Sequence, residues 1–535
     1  MLPPCLVMRQ GTAGACRVHV PHGDTVEVHL ELETGETLRD LRQLEHWAEP
    51  RSIDGMPVGE AHFELPEDLP LGYHTLSARS GANEASSTVA VTPAFLGLPE
   101  GLGAHRTWGF ATQLYSVRSS RSWGVGDLTD LTDLAVWSGA ELGAGFALVN
   151  PLHAAEPVAP MEPSPYLPSS RRFFNPLYLR LERIPEYVDL ASGDRVRAEQ
   201  LLERLRARVS GLDAIDRDSS WTAKRRALEL MHRVSRSAGR EEDYRAFVSR
   251  EGEGLRDFAT WCALAEEHGS DARAWPEALR DPASLAVGDF RDRHAATVDF
   301  HMWLQWLLDE QLQTTQAKAV GAGMAIGVMH DLAVGVHAGG ADAWRLAHAY
   351  AQGVQVGAPP DDFNQLGQDW SQPPWRPDRL AELAYAPFRE LVAGMLRHAG
   401  GVRVDHVIGL FRLWWVPAGR PPSEGTYVRY DHEALVGILA LEAHRAGAMV
   451  VGEDLGVVEP SAREYLRSRG ILGTSILWFE WEDQAPQPPA RRPGAAPAAR
   501  PSRFRRGCSR RGSPATVPGP STWARWPTAT WCAAT

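Results

Sequence analysis

The sequence predicts an α/β protein in which a small β-sandwich precedes a larger domain built on a parallel sheet or barrel. Residues 15–92 contain short, partly alternating β-rich segments separated by turns such as Pro70-Leu71-Gly72, a pattern typical of a sandwich. From about residue 105 onward, apolar runs that suit strands covered on both faces alternate with helical stretches. The 535-residue length fits one large domain with appended parts.

The N-terminal sandwich is predicted to span residues 1–95. Its expected strands are CRVHV, TVEVHLEL, AHFEL, YHTLSAR and SSTVAVT. Two interpretations of this domain stay open at this point. It is either a scaffold or oligomerisation module without chemistry, or a carbohydrate-binding module.

The larger domain is predicted to span residues 96–483. Its expected strands lie in GFATQLYSV, GFALVNPLHA, MAIGVMHDLAV, GVRVDHVIGLF, AMVVGEDLG and GTSILWFE. Residues 180–320 are charged and have a helical pattern. Because that stretch is too long for one crossover helix, we expect a helical insertion beside the barrel.

Residues 484–535 have a different composition, with nine Arg, ten Pro and no Asp, Glu or Lys. This segment shows neither a helical nor a strand period, so we expect a disordered tail. Its bias is also what a shifted reading frame in a GC-rich gene would produce, which favours a non-native tail. The alternative is a basic tail that binds polyanions.

The formal net charge of −12 argues against nucleic acid or an acidic membrane surface as the main partner. The five cysteines are scattered and lack metal-ligand spacing, so they predict no disulfide framework and favour a reducing compartment. The N-terminus has no signal-peptide pattern, and no apolar run is long enough to span a bilayer. We therefore expect a cytoplasmic protein.

A first candidate site lies in VRVDHV, residues 402–407. Alternate side chains of a strand share a face, so Arg403 and Asp405 should point the same way. A neighbouring Arg favours the ionised carboxylate, the state that a nucleophile at the mouth of a parallel barrel needs. The structural alternative is an Arg–Asp pair that closes the strand end.

A second candidate lies in MVVGEDLG, residues 449–456. Glu453 follows an apolar strand and Gly452, so we expect its carboxyl group to be partly dehydrated. Dehydration raises the pKa of a carboxyl group and suits a general acid. The alternative is a solvated loop carboxylate. Asp454 should point the other way and cap the turn before the helix near 461–467.

Two carboxylates in unequal environments at successive strand ends indicate glycosidic-bond chemistry. Sugar-binding clefts also use aromatic faces against the apolar sides of the rings. Three aromatic residues lie in loops rich in Gly, Pro and Ser: Trp123, Tyr166 and Trp370. Each of them could instead pack its loop onto the barrel.

With these residues the chain resembles a known family, the 4-α-glucanotransferases of the amylomaltase type, also called disproportionating enzymes. Motifs in the family order cover roughly residues 105–480: QLYSVRSSRSWGVGDLTDL, SPYLPSSRRFFNPLY, DLAVGV, GAPPDDFNQLGQDWSQPPW, VRVDHVIGLFRLWW, VVGEDLGVVEP and GILGTSILWFE. The resemblance implies a (β/α)8 TIM-type barrel with helical insertions. It also implies retaining transfer of an α-1,4-glucan segment to the 4-hydroxyl of a glucan or glucose, in maltodextrin and glycogen metabolism.

The same resemblance assigns the catalytic residues. It makes Asp405 the nucleophile and Glu453 the general acid/base. Arg403 would hold the nucleophile ionised, and His406 would lie near the bound sugar. No metal and no organic cofactor is implied.

Further substrate contacts are implied by the matching motifs. Tyr166, Trp370 and Gln368 would contact the sugar, and Asp331 would lie near the donor sugar. The implied partners are maltodextrins, maltose, glucose and fragments of starch or glycogen.

The resemblance stops after Glu480. The family carries a third essential carboxylate in a Thr-His-Asp segment on a late barrel strand, and nothing after Glu480 resembles it. The His-Asp pair of this chain, His330-Asp331, belongs to an earlier motif. We therefore expect a barrel that is incomplete at its C-terminal end, with open strand edges.

On that expectation the 535-residue chain folds poorly or is inactive, and incubation with maltotriose yields no ready formation of glucose and longer maltodextrins. Ready formation of glucose and longer maltodextrins would contradict this expectation.

Two alternative functions predict different results. An inactive glucan-binding remnant would bind maltodextrin in calorimetry without turnover. An α-amylase-like hydrolase would raise the total of reducing ends, which transfer conserves.

Overall fold

The computed structural model describes residues 1–103, 106–361, 364–456 and 458–477, together with the backbone of 481–482 and 485–486. The tail expected at 484–535 therefore lies outside the described residues, apart from the backbone at 485–486. There a short antiparallel pair joins Trp481–Glu482 to Ala485–Pro486.

The N-terminal strands are β1 (Cys5–Arg9), β2 (Gly14–Pro21), β3 (Glu27–Glu31), β4 (Thr37–Leu38), β5 (Gln43–Leu44), β6 (Arg51–Ile53), β7 (Met56–Leu65), β8 (Gly72–Ser80) and β9 (Asn83–Thr92). One sheet has the order β1-β9-β8-β3-β4. The other has the order β2-β7-β5, with β6 beside β7. Alternate residues such as Val18, Leu30, Phe63, Leu76 and Val89 are buried in one shared core. The predicted sandwich is confirmed.

Strand β1 was not predicted from the sequence. This strand runs parallel to β9, with Val7 opposite Ala90. Its sequence CLVMR is apolar without alternation, because β1 lies at the edge of its sheet and also faces the larger domain. A period of two gives no signal for such a strand.

The remaining strands are β10 (Gly109–Thr112), β11 (Phe146–Val149), β12 (His153–Ala154), β13 (Ser170–Phe174), β14 (Gly327–Leu332), β15 (Val354–Ala358), β16 (Gln368–Gln372), β17 (Gly401–Val404), β18 (Arg412–Pro417), β19 (Thr426–Arg429) and β20 (Met449–Gly452). Five of them form an all-parallel sheet in chain order, β10-β11-β14-β17-β20. These are five of the six buried strands expected from the sequence. A four-stranded antiparallel sheet, β16-β15-β18-β19, comes from the connections around β17.

The prediction of a sixth strand at GTSILWFE is wrong for the described part of that segment. Residues 473–476 have no regular structure, and 478–480 lie outside the described residues. The contact with the sheet comes one residue earlier, where Leu472 forms an isolated parallel bridge with Val451. The carboxylate of Asp454 accepts the Thr474 amide (2.7 Å) and thereby ties this segment to the loop after β20.

The helices are α1 (Leu128–Leu142), α2 (Pro185–Val188), α3 (Ser192–Val209), α4 (Arg217–His232), α5 (Ala238–His268), α6 (Leu285–Arg293), α7 (Ala295–Gly321), α8 (Ala341–Arg345), α9 (Pro377–Glu382), α10 (Ala386–Leu396), α11 (His432–Ala446) and α12 (Pro460–Ser468). Helices α2 to α7 occupy most of the stretch expected to be helical, and α5 bends at Gly252 (φ 62°). Helix α1 begins at Asp127, whose carboxylate accepts the amides of Thr129 and Asp130 and pairs with Arg180.

The parallel sheet separates an apolar outer face from an inner face that becomes polar at one end. On the outer face, Val402, Val404 and Val450 pack with α10 and α11. On the inner face, Met329, Gly401 and Met449 lie in one register layer. A Cβ on Gly401 would lie 2.9 Å from Met449 Cγ, so glycine there lets the two methionines fill this layer. The next layer toward the carboxyl ends contains Asp331, Arg403 and Val451.

The sandwich is joined to the larger domain through α11. Arg9 donates to both oxygens of Glu433 (2.7 and 2.6 Å), and the fully buried Arg469 donates to the same carboxylate (2.6 Å). Arg469 also donates to the carbonyl of Pro93 (3.0 Å), at the end of the sandwich. Burial acts to raise the pKa of Glu433, but hydrogen bonds from Arg9 and Tyr465 and the charge of Arg469 outweigh it and lower the pKa to about 2.

We expect Glu433→Gln to lower the free energy of unfolding by roughly 1–3 kcal/mol at pH 7, because it leaves the buried Arg469 without its charge partner. The native pKa lies below the ordinary value of 4.5, so this stabilisation is present above pH 4.5 and is lost as the pH falls toward 2. Urea unfolding at pH 7 and pH 3 measures this stabilisation. The difference in unfolding free energy between variant and parent should be smaller at pH 3 than at pH 7.

Glu382→Gln provides the matched control. Glu382 pairs with Arg379 on the exposed face of α9, where such a pair contributes less than about 0.5 kcal/mol. Equal losses of unfolding free energy in the two variants would contradict the larger contribution that we assign to the hydrogen bonds of Glu433.

Candidate functional site

Two carboxylates stand at the carboxyl ends of neighbouring parallel strands. Asp405 directly follows β17 and Glu453 directly follows β20. Their backbones continue the ladder, since the Asp405 amide donates to Leu332 O (3.0 Å) and the Glu453 amide donates to Val404 O (2.9 Å). In parallel α/β sheets this edge is where ligands bind.

Arg403 joins the two inner-face aspartates. Its guanidinium donates to Asp331 Oδ1 (2.6 Å) and pairs with Asp405 Oδ1 (2.8 Å). Arg403 and Asp405 therefore share a face, as predicted. The Tyr166 hydroxyl donates to the second oxygen of Asp331 (2.7 Å), so one chain of charge-assisted bonds links Tyr166, Asp331, Arg403 and Asp405.

Asp331 lies behind this chain, with 4% of its surface exposed. Burial is the largest influence on it and, together with the charge of Asp405, outweighs Arg403 and raises its pKa to about 6. Both of its oxygens are engaged by Tyr166 and Arg403. The geometry therefore gives Asp331 the role of orienting these two side chains from behind.

Glu453 occupies the partly dehydrated position predicted for it. Burial raises its pKa, and the charge of Asp405 acts in the same direction. The amides of Leu455 (2.8 Å) and His406 (3.0 Å) donate to its two oxygens and only partly offset these effects. His406 adopts φ 48°, which turns its amide toward Glu453 and thereby ties the loop after β17 to the loop after β20.

An aromatic cleft opens beside Asp405. It has a volume of about 330 Å³ and is lined by Ser164, Tyr166, Leu167, Val334, Trp370, Gln372 and Asp405. Trp370 stands edge-on to His406, with 5.3 Å between ring centroids. The cleft therefore combines an ionisable group with the aromatic surfaces that pyranose rings favour.

Gln368 and Gln372 stand on the same strand with different contacts. Gln368 accepts a hydrogen bond from Trp370 Nε1 (3.1 Å) and so holds the indole in place. Gln372 lines the cleft, donates to the carbonyl of Tyr166 (2.8 Å), and its buried Oε1 has no hydrogen-bond partner among the described residues. Gln372 was not predicted from the sequence, although its position two residues after Trp370, on the same strand β16, was a usable signal.

Arg171 and His153 also escaped the sequence analysis. Arg171 donates to the carbonyls of Ala333 (3.1 Å) and Val334 (2.5 Å) and stacks over Trp375. His153 accepts the Ala333 amide (3.2 Å). The two side chains fix the loop after β14, which forms one wall of the cleft. Their positions on different strands left no local signal.

Trp123 follows the second of its two predicted alternatives, packing in place of sugar contact, and the capping role expected of Asp454 is wrong. Trp123, a candidate sugar contact, is 1% exposed in the core and donates to Glu182 (3.0 Å), because its loop folds inward against the helical region. Asp454 does not cap α12, whose first turn has no side-chain cap. Its carboxylate instead accepts from Thr474 and from Arg463 (3.2 Å).

The described cysteines, Cys5, Cys16 and Cys262, are not paired in disulfides. In the part of the chain that the structure describes, no helix combines the length and the apolarity needed to cross a membrane.

Family models match both parts of the chain. The family model for 4-alpha-glucanotransferase, glycoside hydrolase 77, matches residues 112–499, and that for the MalQ N-terminal beta sandwich domain matches residues 1–93. The chain is 61% identical over 485 residues to the 4-alpha-glucanotransferase of Mycobacterium tuberculosis H37Rv, covering 90% of this chain and 67% of that protein.

Two solved structures are similar to this one. The crystal structure of amylomaltase from Corynebacterium glutamicum matches with a TM-score of 0.83 and 49% identity, over 91% of this chain and 67% of that one. The amylomaltase of Streptococcus agalactiae in complex with acarbose matches with a TM-score of 0.59 and 18% identity, over 71% of this chain and 75% of that one. The second likeness concerns the fold.

We expect Arg403→Met to lower the free energy of unfolding by about 3–5 kcal/mol at pH 7, because it leaves the buried Asp331 carboxylate without a cation. Adding Asp331→Asn should restore part of that loss, since the variant then buries an amide in place of a charge. Urea unfolding of the parent, the two single variants and the double variant gives the coupling energy. Additive losses of unfolding free energy in the double variant would contradict the proposed coupling between Arg403 and Asp331.

Proposed function

The chain belongs to the 4-alpha-glucanotransferase family, glycoside hydrolase 77, and from this premise we propose that Asp405 and Glu453 are its catalytic pair. They would transfer a segment of an α-1,4-glucan to the 4-hydroxyl of an acceptor glucan or glucose by double displacement. The observation that carries the proposal is the pair of unlike carboxylates at adjacent strand ends, one bonded to a guanidinium and one partly buried.

In the first step Asp405 attacks the anomeric carbon of the donor. The bond from Arg403 (2.8 Å) supports this role, because it orients the carboxylate and places a positive charge beside it. Glu453, protonated, gives its proton to the departing glycosidic oxygen. The glycosidic bond breaks as the bond to Asp405 forms, and the shortened glucan leaves.

In the second step Glu453, now ionised, removes the proton from the 4-hydroxyl of the acceptor. That oxygen attacks the anomeric carbon and releases Asp405. Two inversions retain the α configuration. The amides of Leu455 and His406 support the charged form of Glu453 between the steps, while burial supports its return to the protonated form.

The remaining predicted residues have proposed roles in substrate binding. Tyr166 and Trp370 offer aromatic surfaces to the sugar beside Asp405, and His406 stands against Trp370. Gln368 and Asp331 would act by holding Trp370, Tyr166 and Arg403, because their own polar atoms are engaged. We add Gln372, which lines the cleft and holds Tyr166 by donating to its backbone carbonyl.

The proposed substrates are maltodextrins, maltose, glucose and fragments of starch or glycogen. Membership of the 4-alpha-glucanotransferase family supports this choice of substrates. The family favours transfer over the hydrolysis that the same two carboxylates could perform. The expectation of an incomplete barrel and an inactive chain concerns residues beyond those described, and it stays a prediction.

We expect Glu453→Gln to accumulate a covalent glycosyl-enzyme with α-maltosyl fluoride, because fluoride leaves without a proton while the second step still needs a base. Mass spectrometry of the intact and digested protein should place the adduct on Asp405. Asp405→Asn should form none. Glu464→Gln, on the exposed side of α12, is the matched control and should form no lasting adduct.

An adduct on another residue would contradict the assignment of the nucleophile. The same would hold if glucan were turned over by Asp405→Asn. Because this assay follows one bond-forming step, its result is separable from the overall turnover of the chain.

The pH dependence of the first chemical step should follow the protonation of Glu453. Its pKa is raised above the ordinary 4.5 by burial, so the protonated form persists to higher pH, and the first step should slow as the pH rises through that raised value. If the chain turns over maltotriose, contrary to the expectation of inactivity, Glu453→Gln should lower kcat by about 10²–10⁴-fold and abolish this alkaline limb. A limb that survives in Glu453→Gln would assign the acid to another group.

A further inference from the structure

Three histidines surround one carboxylate on the outer face of the sandwich. His19 stands on β2, Glu60 and His62 stand on β7, and His46 follows β5. They belong to the sheet β2-β7-β5, whereas the sheet carrying β1 and β9 packs on α11. This group, the His46–Glu60–His62 cluster with His19, is therefore separate from the catalytic cleft.

Strand pairing brings the four side chains together. Glu60 and His62 are two residues apart on β7 and so point to the same face. His19 is the register partner of Glu60 across the β2–β7 ladder. On the other side, Leu44 of β5 is opposite His62, so His46, two residues further on, approaches Glu60. Backbone hydrogen bonds thus fix three of the four positions.

The ligand atoms of the three residues lie close together, and His62 and Glu60 share a hydrogen bond that an ion between them would replace. His62 Nε2 lies 2.5 Å and His46 Nε2 lies 3.9 Å from Glu60 Oε1, and ligand atoms of the three residues all lie within 4.8 Å of one another. A tetrahedral ion with bonds of 2.0–2.1 Å separates its ligand atoms by about 3.4 Å. The imidazoles of His46 and His62 are nearly parallel, with 3.9 Å between ring centroids, so both rings aim their nitrogens at the same side.

His19 holds the remaining oxygen. Its Nε2 lies 3.0 Å from Glu60 Oε2, which orients the carboxylate and leaves Oε1 toward His46 and His62. A histidine or carboxylate that supports a metal ligand in this way commonly raises affinity.

We propose that His46, Glu60 and His62 bind a divalent transition metal, with zinc as the expected occupant and His19 as a positioning residue. Two imidazoles and one carboxylate are a ligand set that zinc favours, with water as a fourth ligand. Calcium and magnesium prefer sets made of oxygen atoms and should bind poorly. Side chains of His46 and His19 are about half exposed, so an ion has direct access.

The ion would fasten a loosely paired segment. Residues 45–50 form no strand and lie between two short strands, β5 of two residues and β6 of three residues. A bond from His46 to a metal on β7 would pin this segment to the sheet. Metal binding to the native site should therefore stabilise the sandwich.

The test uses the full chain, purified without a polyhistidine tag and treated with chelator. Isothermal titration with ZnCl₂ should give one site, and CoCl₂ should give the visible absorption of tetrahedral cobalt. His46→Ala and His62→Ala should each lose this binding. His19→Ala should weaken it by about 10–100-fold. Calcium and magnesium should give no comparable signal.

His29→Gln is the matched control, because His29 stands on β3 in the other sheet of the sandwich. It should bind zinc and cobalt like the parent. The thermal midpoint of the parent should rise on adding zinc, while those of His46→Ala and His62→Ala should not. Circular dichroism of the metal-free variants checks that they fold.

Two outcomes would overturn the proposal. One is a folded parent chain that binds neither zinc nor cobalt, which would leave a histidine–carboxylate hydrogen-bond network. The other is binding that survives in both His46→Ala and His62→Ala, which would assign the metal to other residues.

Discussion

The guanidinium of Arg403 is the group on which the candidate site depends. It stands on an inner-face position of β17 and bonds to Asp331 on β14 and to Asp405 at the end of its own strand. One cation between two carboxylates leaves a net negative charge in a mostly buried place. The raised pKa of Asp331 reflects the cost of this buried charge, and the hydrogen bond that Tyr166 donates to Asp331 offsets part of it.

The positions of these groups follow from the sheet beneath them. Parallel register brings Asp331, Arg403 and Val451 to one level, and one level lower Gly401 makes room for Met329 and Met449. A dry layer under a polar layer lowers the local dielectric and strengthens the charge-assisted bonds above it. The His406 amide then joins the last two loops by donating to Glu453. The two carboxylates of the proposed mechanism thus receive unlike environments from neighbouring strands.

The sandwich contributes in a different way. Its β1–β9 side is fixed to α11 by Glu433, which gathers Arg9, Arg469 and Tyr465 around one carboxylate. Helix α11 packs against β20 on its other side, so the strand that precedes Glu453 is supported through this interface. The opposite sheet remains outside the interface, and there the three histidines gather around Glu60. A module with no proposed part in the glycosidic chemistry can therefore still carry a binding site.

The sequence by itself determined the sandwich, five strands of the parallel sheet, the helical stretch and the shared face of Arg403 and Asp405, because these depend on local periodicity. The family resemblance named Tyr166, Asp331 and Trp370 but not how they connect. Only the tertiary structure decided that Asp331 lies behind Tyr166 and Arg403, that Gln372, Arg171 and His153 shape the cleft, and that Trp123 is core. It also brought His19, His46, Glu60 and His62 together. Each of these depends on strand register or chain reversal between distant residues, for which a linear pattern has no signal.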